Sequence, residues 1–210
     1  MAMAVRWRDR PADRAEWRGG TKPRLGRRSA RWGRATGLPA FEPLPDWLLV
    51  AGGSVLQLRG MTALDGEALR HFYLGLSRQT LYRRFMTPTP RLPESMLASL
   101  CETGRLDREV VVATLGDQIV AEARYHRVPG ADEAEIALVV ADLWQGRGIG
   151  AALTDRLARL GRRRGIVAFT GAMLADNAAA RGLLGSAAPS SARSIRSGEL
   201  EFRASLAAAP

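Results

Sequence analysis

Two neighbouring features of the chain are equipped for chemistry. The first is the run Val139-Val-Ala-Asp-Leu-Trp-Gln145-Gly-Arg-Gly-Ile-Gly150, which sets Gly146, Gly148 and Gly150 directly before an amphipathic segment. A strand that feeds a glycine-rich turn and then a helix makes an anion site. The first N–H groups of a helix lack internal partners and lie at the positive end of its dipole. Glycines there remove Cβ atoms, so phosphate oxygens can approach the main chain. Alternating glycines alone fit a plain tight turn equally well. The second feature is Glu135, a carboxylate opening the otherwise apolar run Ile136-Ala-Leu-Val-Val140. Side chains alternate along a strand, so residues 135, 137 and 139 share one face. A carboxylate partly buried on a sheet tends towards a raised pKa, which suits a general base. The competing reading of Glu135 is a solvated strand-entry residue, which is also the expectation for Asp132 and Glu133.

Other chemistries are set aside by residue type and spacing. The turn has no lysine, so it is not a Walker A loop, and its third glycine stands at the wrong offset for a dinucleotide fingerprint. Two histidines and one cysteine at unrelated spacings argue against a metal site, and none is assigned. His71 and His126 read as packing or structural residues, and Cys101 as a small packed one. Tyr82, Arg83 and Arg84 either line an acceptor cleft or form a core tyrosine with solvated arginines. Trp144 is expected to pack beneath the glycine turn.

The elements that must position these residues emerge from periodicity. Ser54–Arg59 alternates like a first strand. Thr62-Ala-Leu-Asp65 resembles a capping box, and Leu64, Ala68, Leu69, Phe72 and Leu76 continue at helical spacing. Ser77 is placed to cap a second helix through Phe85, and Pro93 suits the first turn of a third, ending at Cys101. Glu109–Leu115 and Gln118–His126 are β-rich runs joined by Gly116-Asp117, a tight hairpin signal in reversed order. A strand over Ala134–Ala141 comes next. Gly148–Arg164 reads as a helix with Ile149, Leu153, Leu157 and Leu160 on one face and its arginines largely on the other or at its C-terminal end. Ile166–Ala172 is a strand, Asn177–Leu184 a short helix, 184–191 loop-like, and Glu199–Ser205 a final strand. This order predicts an α/β (α+β) domain with a mixed, mostly antiparallel sheet flanked by helices.

Composition bounds the setting. Of the 210 residues 46% are hydrophobic, enough for a core. No apolar run approaches the roughly 20 residues that span a bilayer, and no apolar leader stands behind the N-terminal methionine. A single cysteine suits a reducing compartment, so the expectation is a cytoplasmic protein. The formal charge of +10 is concentrated near the N-terminus, where residues 1–34 hold ten arginines and Lys22 against Asp9, Asp13 and Glu16. Residues 1–50 show no sustained period and are read as a basic, disordered tail, with the domain spanning 51–210. The tail's interleaved tryptophans and arginines admit nucleic acid or an anionic membrane surface as partners. A solvated tail is the simpler reading, and the tail's acidic residues argue against a transit peptide.

Gln145-Gly-Arg-Gly-Ile-Gly150, in its strand–turn–helix setting, resembles the coenzyme A motif of the GNAT superfamily of N-acetyltransferases. The likeness in element order extends over residues 54–206. Leu81-Tyr-Arg-Arg-Phe85, Asp107-Arg-Glu-Val110 and Ala134-Glu-Ile-Ala137 resemble the acetyltransferase domain of bacterial protein lysine acetyltransferases. The resemblance implies acetyl-CoA as cosubstrate and an amine acceptor, either a protein lysine or a small molecule. It also implies roles by position. Main-chain groups of Leu138, Val139 and Val140 would hold the pantetheine arm and thioester. The N–H groups of Gln145, Gly146, Arg147, Gly148, Ile149 and Gly150 would cradle the pyrophosphate, Asn177 would contact the coenzyme, and Glu135 would be the base for direct attack by the amine. Two departures stand out. Leu184 occupies the position of a tyrosine that protonates the departing thiolate in many relatives, and the helix ending in Gly-Phe is replaced by Leu184-Gly-Ser-Ala-Ala-Pro-Ser-Ser191. They support an alternative, a non-catalytic acyl-CoA-binding regulatory module.

Overall fold

Gly116, with a positive φ of 56°, and Asp117 form the two-residue turn read from the sequence, and the hairpin they close is the centre of the sheet. In the computed structural model, which describes residues 2–3, 46–88, 92–102, 107–127 and 131–206, the strands are β1 (Ala2–Met3), β2 (Asp46–Leu49), β3 (Val55–Gly60), β4 (Arg108–Leu115), β5 (Gln118–Arg127), β6 (Glu133–Val140), β7 (Ala168–Leu174), β8 (Ala192–Arg196) and β9 (Glu199–Ser205). The helices are α1 (Gly66–Leu74), α2 (Arg78–Phe85), α3 (Glu94–Leu100), α4 (Ile149–Arg163) and α5 (Ala178–Ala187). The sheet runs β2-β3-β4-β5-β6-β7-β9-β8, with β1 paired to β6 off this path. Every pairing is antiparallel except β6 with β7, which α4 joins by a crossover. This is the mixed, mostly antiparallel sheet flanked by helices that the sequence predicts.

Both faces of the central strands are covered, which is why β4 and β6 carry the apolar runs Val110–Ala113 and Ile136–Val140. On one face Ile149, Leu153 and Leu157 of α4 and Leu183 and Leu184 of α5 pack on Val111, Ala123, Ile136 and Leu138. On the other, Leu69, Phe72 and Tyr73 of α1, Leu81 of α2 and Leu97 and Leu100 of α3 pack on Val110, Val112 and Val139. Gly161 lets α4 approach the sheet closely, since a Cβ there would stand 3.1 Å from the Phe169 ring.

The local signals hold in detail. Thr62 and Asp65 form a reciprocal capping box before α1, and the Ser77 hydroxyl accepts a hydrogen bond from the Thr80 N–H at 3.2 Å to start α2. Other expectations change. Helix α5 continues to Ala187 rather than stopping at Leu184. Beyond it the chain is not loop alone but forms a further hairpin, β8–β9, turned at Ser197 and Gly198, both with positive φ. All five residues of β8 are exposed, so it carries no burial alternation to read. Arg156 does not lie on the solvent face of α4. It is buried and donates to the Asp46 carboxylate of β2 at 2.6 Å. In α2 the roles assigned by residue type are reversed, with Tyr82 exposed and Arg84 buried, while the buried tyrosine is Tyr73. Two stretches of the segment read as tail, β1 and β2, are strands of this sheet; residues 4–45 lie outside the described residues.

Candidate active site

The glycine turn is built as a change of direction that only glycine makes cheaply. After β6 a single 3-10 turn, Asp142–Trp144, leads to Gln145, and Gly146 and Gly148 then take φ of 73° and 82°. A Cβ at either glycine would meet no atom within 4 Å, so these positions face open space. Gly148 is the N-cap of α4 and supplies no side-chain cap. The N–H groups of Gly146, Arg147, Gly148, Ile149, Gly150 and Ala151 have no hydrogen-bond acceptor among the described residues. A helix start left uncapped beside open space is suited to an anion. Trp144 packs partly buried against the core and the Arg147 guanidinium lies 5.0 Å over its ring, so the turn rests on an aromatic floor as expected.

Strand β6 supplies the second component. One of its edges pairs with β5 from Ala134 to Val140, while the other pairs with β7 only at Glu133, Ala134 and Glu135. From Ile136 onward β7 has no register partner on β6, and the two strands part. The gap closes tightly at its apex because Gly171 of β7 has no side chain. A Cβ there would stand 2.7 Å from the Phe202 ring and 3.3 Å from the Ile136 carbonyl oxygen. Leu138, Val139 and Val140 bury their side chains and run along the edge that β7 leaves, where β1 pairs with Leu138 and Val139. Glu135 is half-buried at the apex, opposite His126 of β5 and beside Thr170 of β7. It shares the face of Val139, towards α1–α3. The structure thus brings Glu135, Leu138–Val140 and Gln145–Gly150 onto one strand and the turn that leaves it.

Asn177 sits elsewhere in the machinery. It is fully buried as the N-cap of α5, where its side-chain oxygen accepts from the Ala180 N–H at 3.3 Å. Leu184, at the tyrosine position, is buried in the core beside α4. A cavity of about 560 Å³ opens between α4 and α5, lined by Thr154, Ala158, Leu183, Leu184, Phe202 and Leu206, among others. None of Gln145–Gly150 lines it.

Sequence reasoning missed two polar assemblies. Asp142, just before the turn, accepts from the Ser77 N–H at 2.9 Å, the Ser77 hydroxyl at 2.7 Å and the Thr80 hydroxyl at 2.7 Å. Burial alone would raise its pKa, but these bonds outweigh burial and hold the carboxyl low. The Gln145 amide adds bonds to Thr80 Oγ1 and the Val140 carbonyl, so α2 and the turn are fastened together. The second assembly lies under α1–α3, where Glu122 of β5 accepts from the Tyr73 hydroxyl at 2.7 Å and from Arg124, which also reaches the Leu100 carbonyl. Burial opposes the Glu122 charge, yet Arg124, Arg84 and the Tyr73 bond keep its carboxyl ionised below the usual range. Burial and the adjacent Glu122 push the Tyr73 phenol up. The signal for it was present in Glu122 and Arg124, charges two apart on one face of an otherwise apolar strand.

Comparison with known proteins decides the family. Residues 78–186, just over half of the chain, match the family model "Acetyltransferase (GNAT) family". The chain belongs to the GNAT acetyltransferases. Among curated relatives it is 34% identical over 151 residues to Acetyltransferase Pat of Mycolicibacterium smegmatis, a match covering 70% of this chain and 44% of that protein. The chain therefore spans under half the length of this relative. Among solved structures it is similar to the GNAT domain of S. lividans PAT, with a TM-score of 0.70 at 29% identity, covering 77% of this chain and 96% of that one. It shares the fold of yncA, a putative acetyltransferase from Salmonella typhimurium solved with acetyl-CoA, with a TM-score of 0.58 at 19% identity, covering 72% and 94%. As a GNAT chain it belongs to a family of acyltransferases whose cosubstrate is acetyl-CoA. Among the described residues no helix is long and apolar enough to cross a membrane, and no cluster of three or more His, Cys, Asp or Glu side chains is placed to hold a metal.

Proposed function

We propose that this chain transfers an acetyl group from acetyl-CoA to an amine, a protein lysine or a small molecule, by direct attack. One observation carries the reading: the uncapped amides of the 146–151 turn continue directly from the edge of β6 that β7 leaves, with Glu135 at the end of that edge where β7 still pairs. The amides and positive helix end suit a diphosphate, and the positive-φ glycines leave room for it. Main-chain groups of Leu138, Val139 and Val140 hold the pantetheine arm. Gln145, Gly146, Arg147, Gly148, Ile149 and Gly150 hold the pyrophosphate, and Asn177 fixes the start of α5 beside the coenzyme. Glu135, half-buried on the α1–α3 face, takes the proton from the acceptor ammonium, and edge N–H groups of β6 stabilise the developing oxyanion. Because Leu184 offers no acid, the thiolate leaves unassisted. The cytoplasmic setting expected from cysteine usage belongs to this proposal.

The test is thiol release from acetyl-CoA across a panel of amines, with coenzyme A protection against heating measured in parallel. Turnover with some acceptor, together with a raised Tm, supports the proposal. Neither one appearing ends it. The buried Leu184 favours a second reading, an acyl-CoA-binding regulatory module without turnover, for which tight binding and no acceptor would be the result. A nucleic-acid partner would act through the basic tail alone. A truncation beginning near Gly52 that leaves nucleic-acid binding and its salt dependence unchanged eliminates it.

A further inference from the structure

The open edge of β6 has an occupant drawn from the chain itself. Ala2 pairs antiparallel with Val139, and Met3 with Leu138, on the edge that β7 leaves beyond Glu135. Strand β1 also adjoins β7 and α2, so it fills the gap between the two parting strands. The backbone of Leu138 and Val139 is the backbone assigned above to the pantetheine arm. Alternate residues of a strand turn their N–H and C=O to opposite edges, so of Leu138 and Val139 one serves β5 and the other serves the edge that β1 joins. A strand added there and a pantetheine arm laid there use the same groups and the same space.

We infer that the N-terminal strand is a built-in competitor of the coenzyme, which occludes its own acyl-CoA slot by strand addition and must leave before acetyl-CoA can bind. The inference rests on the coenzyme reading of that edge. Strand addition to an exposed edge is a general recognition mode that draws on main-chain bonds, so it needs no particular side chains in β1. Covalent attachment keeps the competitor at high local concentration, while the pairing described, at Ala2 and Met3, is short enough for the coenzyme to displace. The occluded fraction lowers the apparent affinity for coenzyme A by the reciprocal of the open fraction, without altering the chemistry once the slot is filled.

The experiment titrates coenzyme A calorimetrically into the full chain, into a variant lacking residues 1–6, and into the double variant Ala2→Pro, Met3→Pro. The double substitution is needed because alternate residues of a strand turn their N–H groups to opposite edges, and proline removes whichever one faces β6. The expected result is a Kd lowered roughly three- to ten-fold in both variants, with kcat at saturating acetyl-CoA unchanged. Equal Kd values in all three proteins overturn the occlusion and leave the coenzyme site standing. Weaker binding in the variants also overturns it, by showing that β1 helps build the site. Failure of all three to bind, with the variants folded, removes the coenzyme reading itself.

Discussion

Two helix starts in this molecule solve the same problem in opposite ways. Helix α5 begins at Asn177, whose buried side chain accepts from Ala180 N–H and closes the exposed amides. Helix α4 begins at Gly148, which has no side chain to offer, and its first amides face open space. The 3-10 turn Ala63–Asp65 that leads into α1 is likewise closed, by the capping box of Thr62 and Asp65. The contrast between the α5 and α4 starts, one closed by a side chain and one left bare, is what the proposed coenzyme site rests on. The bare start lies at the end of β6, so the coenzyme as proposed would run along the edge that β7 leaves, towards Glu135.

The largest effect expected is on chemistry alone. Glu135→Gln should lower turnover by about 10²-fold or more while the Kd for coenzyme A stays within about two-fold, since the carboxylate is assigned to the proton and not to the coenzyme. Loss of binding instead would make Glu135 a structural residue. The next probe acts on the bare helix start. Gly148→Val places a β-branched residue at a φ of 82°, at a strain of about 1–2 kcal/mol, and puts its side chain where the diphosphate is proposed. Coenzyme affinity should fall by at least about ten-fold, read by calorimetry. The closed start should respond the other way round. Asn177→Ala should cost about 1 kcal/mol of stability in urea unfolding, with a smaller change in coenzyme Kd than Gly148→Val produces. If Asn177→Ala leaves stability intact, or Gly148→Val leaves affinity intact, the contrast between the two starts fails.

The smallest effect is on pH. The guanidinium of Arg59 bonds Asp65 at 2.6 and 2.7 Å, and with the Thr62 bonds it brings this carboxyl from 3.8 down to about 2. A carboxyl depressed in the folded state contributes stability above its unfolded pKa and loses it as pH falls through the folded value. The contribution is therefore complete above pH 3.8 and fades towards pH 2. Asp65→Asn should flatten the urea midpoint across that window and leave coenzyme A binding at neutral pH untouched.

What the sequence disclosed was what short-range rules govern. The Gly116-Asp117 hairpin, the Thr62 box, the Ser77 cap and the apolar face of α4 each depend on residues within a few positions of one another, so their physics is written locally. The strand–turn–helix placing Glu135 beside Gln145–Gly150 is local in the same way. The rest depends on distant partners. Asp142 reads as a polar loop residue until Ser77, 65 positions away, is placed against it. Arg156 looks solvated until Asp46 of β2 meets it, and Arg84 until the folded α2 buries it. Strand β8 lacks a buried side and so lacks a period. Strand β1 is defined only by the edge it joins.

The carboxylate of Asp142 joins the two sides proposed for the two substrates. A single side chain receives three hydrogen bonds from the first turn of α2, on the side proposed for the acceptor, and its own backbone leads within a few residues into the bare amides of α4. With the Gln145 amide on Thr80, these bonds tie the start of α2 to the glycine bend. One anion thus fastens the proposed acceptor side to the turn proposed for the donor, and Asp142→Ala would remove the three bonds it receives.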